Sequence, residues 1–259
     1  MNLAKRLLTG VSFACLGMGI SSMSMADVFS AKSAEHRVAL LELYTSEGCS
    51  SCPPAEEWLK AFPKYGLTTD KVIPLAMHVT YWDYIGWEDP YAQERFDQRQ
   101  RVIARSNRQN SVYTPQLVLN GEDFRGYRTI EKTLNHVNGQ DALYDLTLNA
   151  EKDGLSLALD LDAKPIINVD ESTVSIYIAV YENGLLSDVE DGENEGQLLQ
   201  HERVVRRLMG PLMPESGQQN IQQNLKLDSS WREGNLGLVA FVEDRRTGYI
   251  LQAVDLPLH

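Results

Sequence analysis

Cys49 and Cys52, separated by Ser50 and Ser51, are the residues of this chain best equipped for chemistry. A nearly continuous apolar run, Val38 to Tyr44, precedes them, and from Pro53 onward Ala55, Trp58, Leu59 and Phe62 recur at helical spacing. The pair therefore stands where a buried strand gives way to a helix start. Unpaired N–H groups of a helix's first turn favour a thiolate and lower a cysteine pKa below its ordinary ~8.5. Cys49 is placed to attack a partner disulfide and Cys52 to resolve the mixed disulfide. Two electrons are then stored in the sulfur pair, and no organic cofactor is needed. Pro53 and Pro54 occupy positions whose N–H groups a helix does not use, and they stiffen the turn. Two other chemistries compete for the same residues. Structural zinc takes four ligands, yet the chain has three cysteines in all and five histidines. An inert bridge closing so short a ring restrains little of the unfolded chain.

The elements that must position the pair alternate. After the first strand and helix, Lys71 to His78 reads as a strand, with Pro74 marking an edge or a bulge. Asp89-Pro90 opens a helix reaching about Asn107, Asp89 capping it and Pro90 tolerated at its first position. Gln116 to Leu119, the Asn120-Gly121 turn and a return through Phe124 form a hairpin. Ile130, Leu134 and Val137 give the inner face of a last helix. The order is β-α-β-α-β-β-α, an α/β domain with a mixed sheet over residues 37–139. Beyond Asn138 to Asp141 the pattern changes. Leu155, Leu157, Leu159 and Leu161 alternate, as do Val174, Ile176, Ile178 and Val180, and six or seven short strands predict a β-sandwich domain over residues 143–258.

These features resemble the thioredoxin superfamily: the element order, Cys49-Ser50-Ser51-Cys52 after the first strand, and Thr114-Pro115 opening the third. The resemblance implies a cis Pro115 packed against the dithiol and a Thr114 backbone holding a client peptide as an added strand. The segments ELYTSEGCSSCPPAE, HVTYWDYIGW and YTPQLVLNG together resemble an exported thioredoxin-like family known as a domain of unknown function. That likeness spans the chain after its leader. Against thioredoxin itself, Leu43 replaces a buried acid and Gly48 a tryptophan, leaving Glu42, Glu47 and Glu56 as candidates for the missing carboxylate. His78, ending the second strand, offers an alternative resembling exported copper chaperones: Cys49, Cys52 and His78 as a soft-metal site without turnover.

Residues 1–26 read as a secretory signal peptide, with Lys5 and Arg6 ahead of an interrupted apolar stretch and Ser24-Met25-Ala26 at the cleavage point. Taking Lys5 and Arg6 from the 24 basic side chains leaves 22 against 36 acidic ones, a charge of −14. That balance argues against a nucleic-acid partner. No later apolar run approaches membrane length. Removing Cys15 with the leader leaves one cysteine pair, as suits a periplasmic or secreted compartment where disulfides persist. Tyr81, Trp82, Tyr84, Trp87 and Tyr91 crowd eleven residues, and Tyr81 and Trp82 are expected to line a groove for a client. Asp188 to Glu195 reads as a solvated acidic hairpin tip. The expectation is therefore a thiol–disulfide oxidoreductase acting on envelope proteins through protein thiols or disulfides, with oligomeric state unassigned. The alternatives are the copper-binding protein and an interaction module with an inert bridge.

Overall fold

The computed structural model describes residues 26–213 and 220–259. The expected leader, with Cys15, lies outside the described residues except for Ala26. In chain order the first half comprises β1 (Asp27–Lys32), β2 (Ala39–Thr45), α1 (Pro53–Lys60), β3 (Val72–His78), α2 (Glu94–Ser106), β4 (Gln116–Leu119), β5 (Glu122–Phe124) and α3 (Ile130–Asn138). The second half is all strand: β6 (Tyr144–Asp153), β7 (Ser156–Pro165), β8 (Val174–Glu182), β9 (Leu185–Asp188), β10 (Leu198–His201), β11 (Val204–Leu212), β12 (Asn220–Lys226), β13 (Leu236–Asp244) and β14 (Tyr249–Pro257). Among the described residues no helix is long and apolar enough to cross a membrane.

The expected α/β thioredoxin-like fold followed by a β-sandwich is not what forms. The molecule is mostly β, 44% strand against 21% helix. Strands from both halves share one eight-stranded sheet in the order β14-β13-β8-β11-β3-β2-β4-β5, and β1-β6-β7-β12 form a second sheet. The junction is narrow: β11 runs parallel to β3 and pairs with it only at Val204 opposite Ala76. Periodicity reports which face of a strand is buried, not which strand takes its open side. A merger of sheets through one edge contact therefore leaves no local mark.

Pro74 shows how the junction tolerates its sequence. It lies inside the sheet, not at an edge, with Leu41 of β2 as its partner. The Ala76 N–H points to β11, donating to the Arg203 carbonyl at 2.9 Å. By alternation, the N–H that Pro74 lacks would point the same way, before β11 has arrived. The Pro74 carbonyl instead accepts from Arg203 Nε at 3.0 Å.

Alternate residues of β2 feed two cores. Ala39, Leu41 and Leu43 pack with Ala55 and Leu59 of α1 and with Ile130, Leu134 and Val137 of α3. Val38, Leu40 and Tyr44 face Phe96 and Ile103 of α2, together with Val239 and Phe241 of β13. Helix α2 thus spans strands from both halves. Its Arg99 is buried with them, donating through Nε to Glu42 Oε2 at 3.1 Å and through Nη2 to Glu243 Oε2 at 2.9 Å. A third core fills the space between the C-terminal strands of the large sheet and the second sheet, through Leu146, Leu159, Ile178 and Leu238.

Helix α2 begins at Glu94, later than expected. Asp89 does not cap it; Gln93 precedes its first turn. Asp89 is buried in the preceding loop, where its carboxylate is needed elsewhere.

Candidate functional site

A disulfide joins Cys49 and Cys52, whose Cα atoms lie 5.4 Å apart. Two successive turns build the ring. The Cys49 N–H donates to the Ser46 carbonyl at 3.1 Å, and the Cys52 N–H to the Cys49 carbonyl at 3.0 Å. Cys52 stands immediately before α1, and its carbonyl accepts from the N–H groups of Ala55 and Glu56. Pro53 and Pro54 fill the first turn, where no donor is required. Ser50 and Ser51 are exposed, whereas both cysteines are fully buried. The Ser51 hydroxyl donates to Cys49 Sγ at 3.3 Å. On reduction the same hydroxyl is positioned to stabilise a Cys49 thiolate.

The acidic stretch keeps its acids exposed, as expected of a solvated tip, and also lies as a cover over this ring. Residues 189–197 link β9 to β10 and cross the disulfide. Asn194 is buried and its Nδ2 donates to the carbonyls of Glu47 at 2.7 Å and Cys49 at 3.1 Å. Glu193 accepts from the Ser50 N–H at 3.0 Å and the Ser50 hydroxyl at 2.7 Å. Gly192, at φ +80°, passes so close that a Cβ would lie 3.3 Å from both Ile85 and Trp87 side-chain carbons. Alternation and charge gave no sign of this docking, because the receptor is backbone: carbonyls and one N–H around the ring.

The cover is expected to respond to acid. The Ser50 hydroxyl and N–H hold the Glu193 carboxyl below its usual 4.5. A carboxyl depressed by the closed state favours closure above its usual value and loses that favour as pH falls through its lowered one. Reduction of the disulfide by a phosphine, measured by thiol alkylation and mass against a model disulfide, should quicken below about pH 4.5. Glu193→Gln should lack that limb; an identical limb in the variant would show that Glu193 is no latch.

The other expected site residues fall partly together. Thr114–Pro115 is a cis peptide bond at the start of β4. Trp82 Nε1 donates to the Thr114 hydroxyl at 2.6 Å, and the Trp82 Cβ borders Gly48, so Thr114, Trp82 and the ring adjoin. Tyr81 points to α2, donating to Gln100 Oε1 at 3.1 Å, and burial pushes its hydroxyl up to about 12. Tyr84 is exposed, while Trp87 and Tyr91 turn inward.

The sulfurs of Cys49 and Cys52 are bonded to each other, and His78 has other partners. It belongs to a buried cluster with His201 and Glu56, one donor atom from each lying within 4.8 Å of the others. The His78 Nδ1 pairs with Asp89 Oδ2 at 2.7 Å. His201 sits between two carboxylates, its Nε2 2.9 Å from Glu47 Oε1 and its Nδ1 against Glu56. Burial pulls the His201 ring down, but its hydrogen bonds to Glu47 and Glu56 outweigh this and push it up to about 10. Burial likewise raises Glu56, and the His201 hydrogen bond and charge bring it below its usual value. Thr45 holds the other Glu56 oxygen at 2.5 Å, and Trp87 the other Glu47 oxygen at 2.7 Å. Of the three candidate carboxylates, Glu47 and Glu56 therefore belong here, whereas Glu42 faces Arg99.

His201 and Asn194 escaped sequence reasoning. His201 meets Glu47 across 154 positions, and Asn194 meets Cys49 across 145. Neither lies in a motif.

The family model described as "Protein of unknown function (DUF1223)" matches residues 40–243. The chain belongs to this family. The match runs from β2 into β13, so the DUF1223 region includes the ring, its cover and the histidine cluster. The chain is similar to the crystal structure of protein AGR_C_4864 from Agrobacterium tumefaciens, at 25% identity and TM-score 0.63 over 87% of this chain and 97% of that one. It is also similar in fold to HBP35 of Porphyromonas gingivalis, at 14% identity and TM-score 0.67 over 86% of this chain and 76% of that one. Among curated proteins, none matches.

Proposed function

We propose that this DUF1223 protein exchanges disulfides with other proteins through Cys49 and Cys52, in the envelope compartment to which a leader at residues 1–26 would export it. The observation that carries the reading is a disulfide at a helix start whose cover is pinned through hydrogen bonds to backbone. Such a cover opens without dismantling a core.

In the exchange, a client thiolate attacks Cys49 Sγ, forming a mixed disulfide and releasing the Cys52 thiolate. A second client thiolate then displaces Cys49, so the client gains a disulfide and the pair becomes a dithiol. The reverse sequence reduces a client. The Ser51 hydroxyl stabilises the Cys49 thiolate; the first turn of α1 offers no free N–H, since Pro53 and Pro54 have none and those of Ala55 and Glu56 serve the Cys52 carbonyl. Thr114, Pro115 and Trp82 form the client side of the site in this reading, and Tyr81, turned to α2, takes no part in it. Trp82 supplies apolar surface beside Gly48, and the Thr114 backbone at the start of β4 supplies donors and acceptors for an extended peptide.

The test is covalent trapping. Cys52→Ser is expected to accumulate a mixed disulfide on Cys49 when the native protein meets a peptide disulfide, seen as a mass increase equal to one peptide thiol. Cys49→Ser is expected to abolish both this adduct and insulin reduction. Insulin reduction indifferent to Cys49→Ser, with no adduct in Cys52→Ser, would sink the reading.

A further inference from the structure

We propose that His78, His201 and Glu56 form a binding site for a divalent transition-metal ion of the zinc class. The three come from separate elements, the end of β3, the end of β10 and the first turn of α1, and nothing in the exchange chemistry calls for their meeting. His78 is fully buried, and its Nε2 has no hydrogen-bond partner among the described residues. An imidazole nitrogen left unpaired in a buried polar cluster carries a cost in stability. That cost marks a lone pair placed for a ligand.

The surrounding carboxylates organise the imidazoles as ligands. Asp89 takes the His78 Nδ1 proton at 2.7 Å, which fixes the tautomer with the lone pair on Nε2. Asp89 is itself held, accepting from the N–H groups of Glu47 and Tyr91, each at 2.9 Å. Glu47 stands 2.9 Å from His201 Nε2, and Nδ1 is hydrogen-bonded to Glu56, a bond that an ion at this site replaces. Each histidine thus has an outer carboxylate, and Glu56 supplies an oxygen between them. Two imidazoles and one carboxylate suit a borderline divalent ion and leave a fourth position open.

Donors at ~2.0–2.1 Å from zinc stand no more than about 4.2 Å apart. The three donors lie within 4.8 Å of one another, and as the ion enters, His201 Nδ1 and the Glu56 carboxylate must part from their hydrogen-bond contact and release the proton they share. The two rings already face each other edge to face at 5.0 Å between centroids.

The proposed ligands include no sulfur, so metal binding can be measured apart from exchange. Dialysed protein is titrated with Zn(II) by calorimetry, and with Co(II) by visible absorption. The expected result is one ion per chain, undiminished in the Cys49→Ser/Cys52→Ser double variant. His78→Ala and Glu56→Gln are each expected to weaken binding at least about tenfold. Circular dichroism reports whether each variant folds. Where His78→Ala does not, Glu56→Gln and the Co(II) bands of the unmutated protein carry the decision. Absence of a stoichiometric site, binding indifferent to both variants, or binding lost with the cysteines would each overturn the proposal. Because the double serine variant is inactive in exchange, failure of one reading leaves the other measurable.

Discussion

Replacing Asn194 by alanine is expected to speed reduction of the Cys49–Cys52 disulfide by about 5- to 100-fold. The sulfurs are fully buried, so a reductant reaches them only from an opened state. The observed rate is then the rate of attack multiplied by the open fraction. Asn194 Nδ2 makes two hydrogen bonds to the ring's backbone, at 2.7 Å to Glu47 and 3.1 Å to Cys49. Alanine removes both, leaving the Glu47 carbonyl without its donor and the Cys49 carbonyl with only the Cys52 N–H, and weakens the closed state by about 1–3 kcal/mol. A thiol-alkylation time course under native conditions measures it. An unchanged rate would mean that opening does not pass through this loop.

Arg99→Met is expected to lower the unfolding free energy by about 3–5 kcal/mol in urea titrations at neutral pH. The guanidinium is the shared partner of Glu42 and Glu243, and it lies 4.6 Å from the Tyr177 ring centroid and 5.1 Å from that of Phe241. Methionine preserves much of the volume but leaves two buried carboxylates without their counterion. Burial pushes the Glu243 carboxyl above its usual 4.5 even with Arg99 in place. A raised carboxyl favours the folded state below its usual value and loses this as pH rises through the folded one. The deficit should therefore be largest at neutral pH and shrink toward pH 4.5. A deficit under about 1 kcal/mol at neutral pH would remove Arg99 as the joint between the halves. The same variant separates local from global opening, since its disulfide should be reduced at nearly the unmutated rate if only the cover must lift.

Much of the local structure was legible. Alternation in Leu155 to Leu161 and in Val174 to Val180 marked strands that form, because a strand facing a core records its buried side at every second residue. The Asn120-Gly121 hairpin was equally plain: both residues have positive φ, and a Cβ on Gly121 would collide with the Gly248 carbonyl. Asp89-Pro90 misled, since a carboxylate before a proline is good cap chemistry, and here the carboxylate serves a buried imidazole instead. The acidic loop was legible in part: its charge predicts solvation and its acids are exposed, but its docking through Asn194 and Glu193 has no mark in the local pattern.

By itself the sequence determined the cysteine pair, the helix start behind it and the strand faces around it. Each is set by residues within one turn or one strand of another, where sterics and periodicity act. Tertiary structure alone decided that β11 would join β3, that residues 189–197 would close over the sulfurs, and that His201 would meet His78 and Glu56. Those contacts join groups far apart in the chain through single hydrogen bonds and one edge pairing. Such directional contacts become favourable only once the cores have excluded water, so nothing local encodes them.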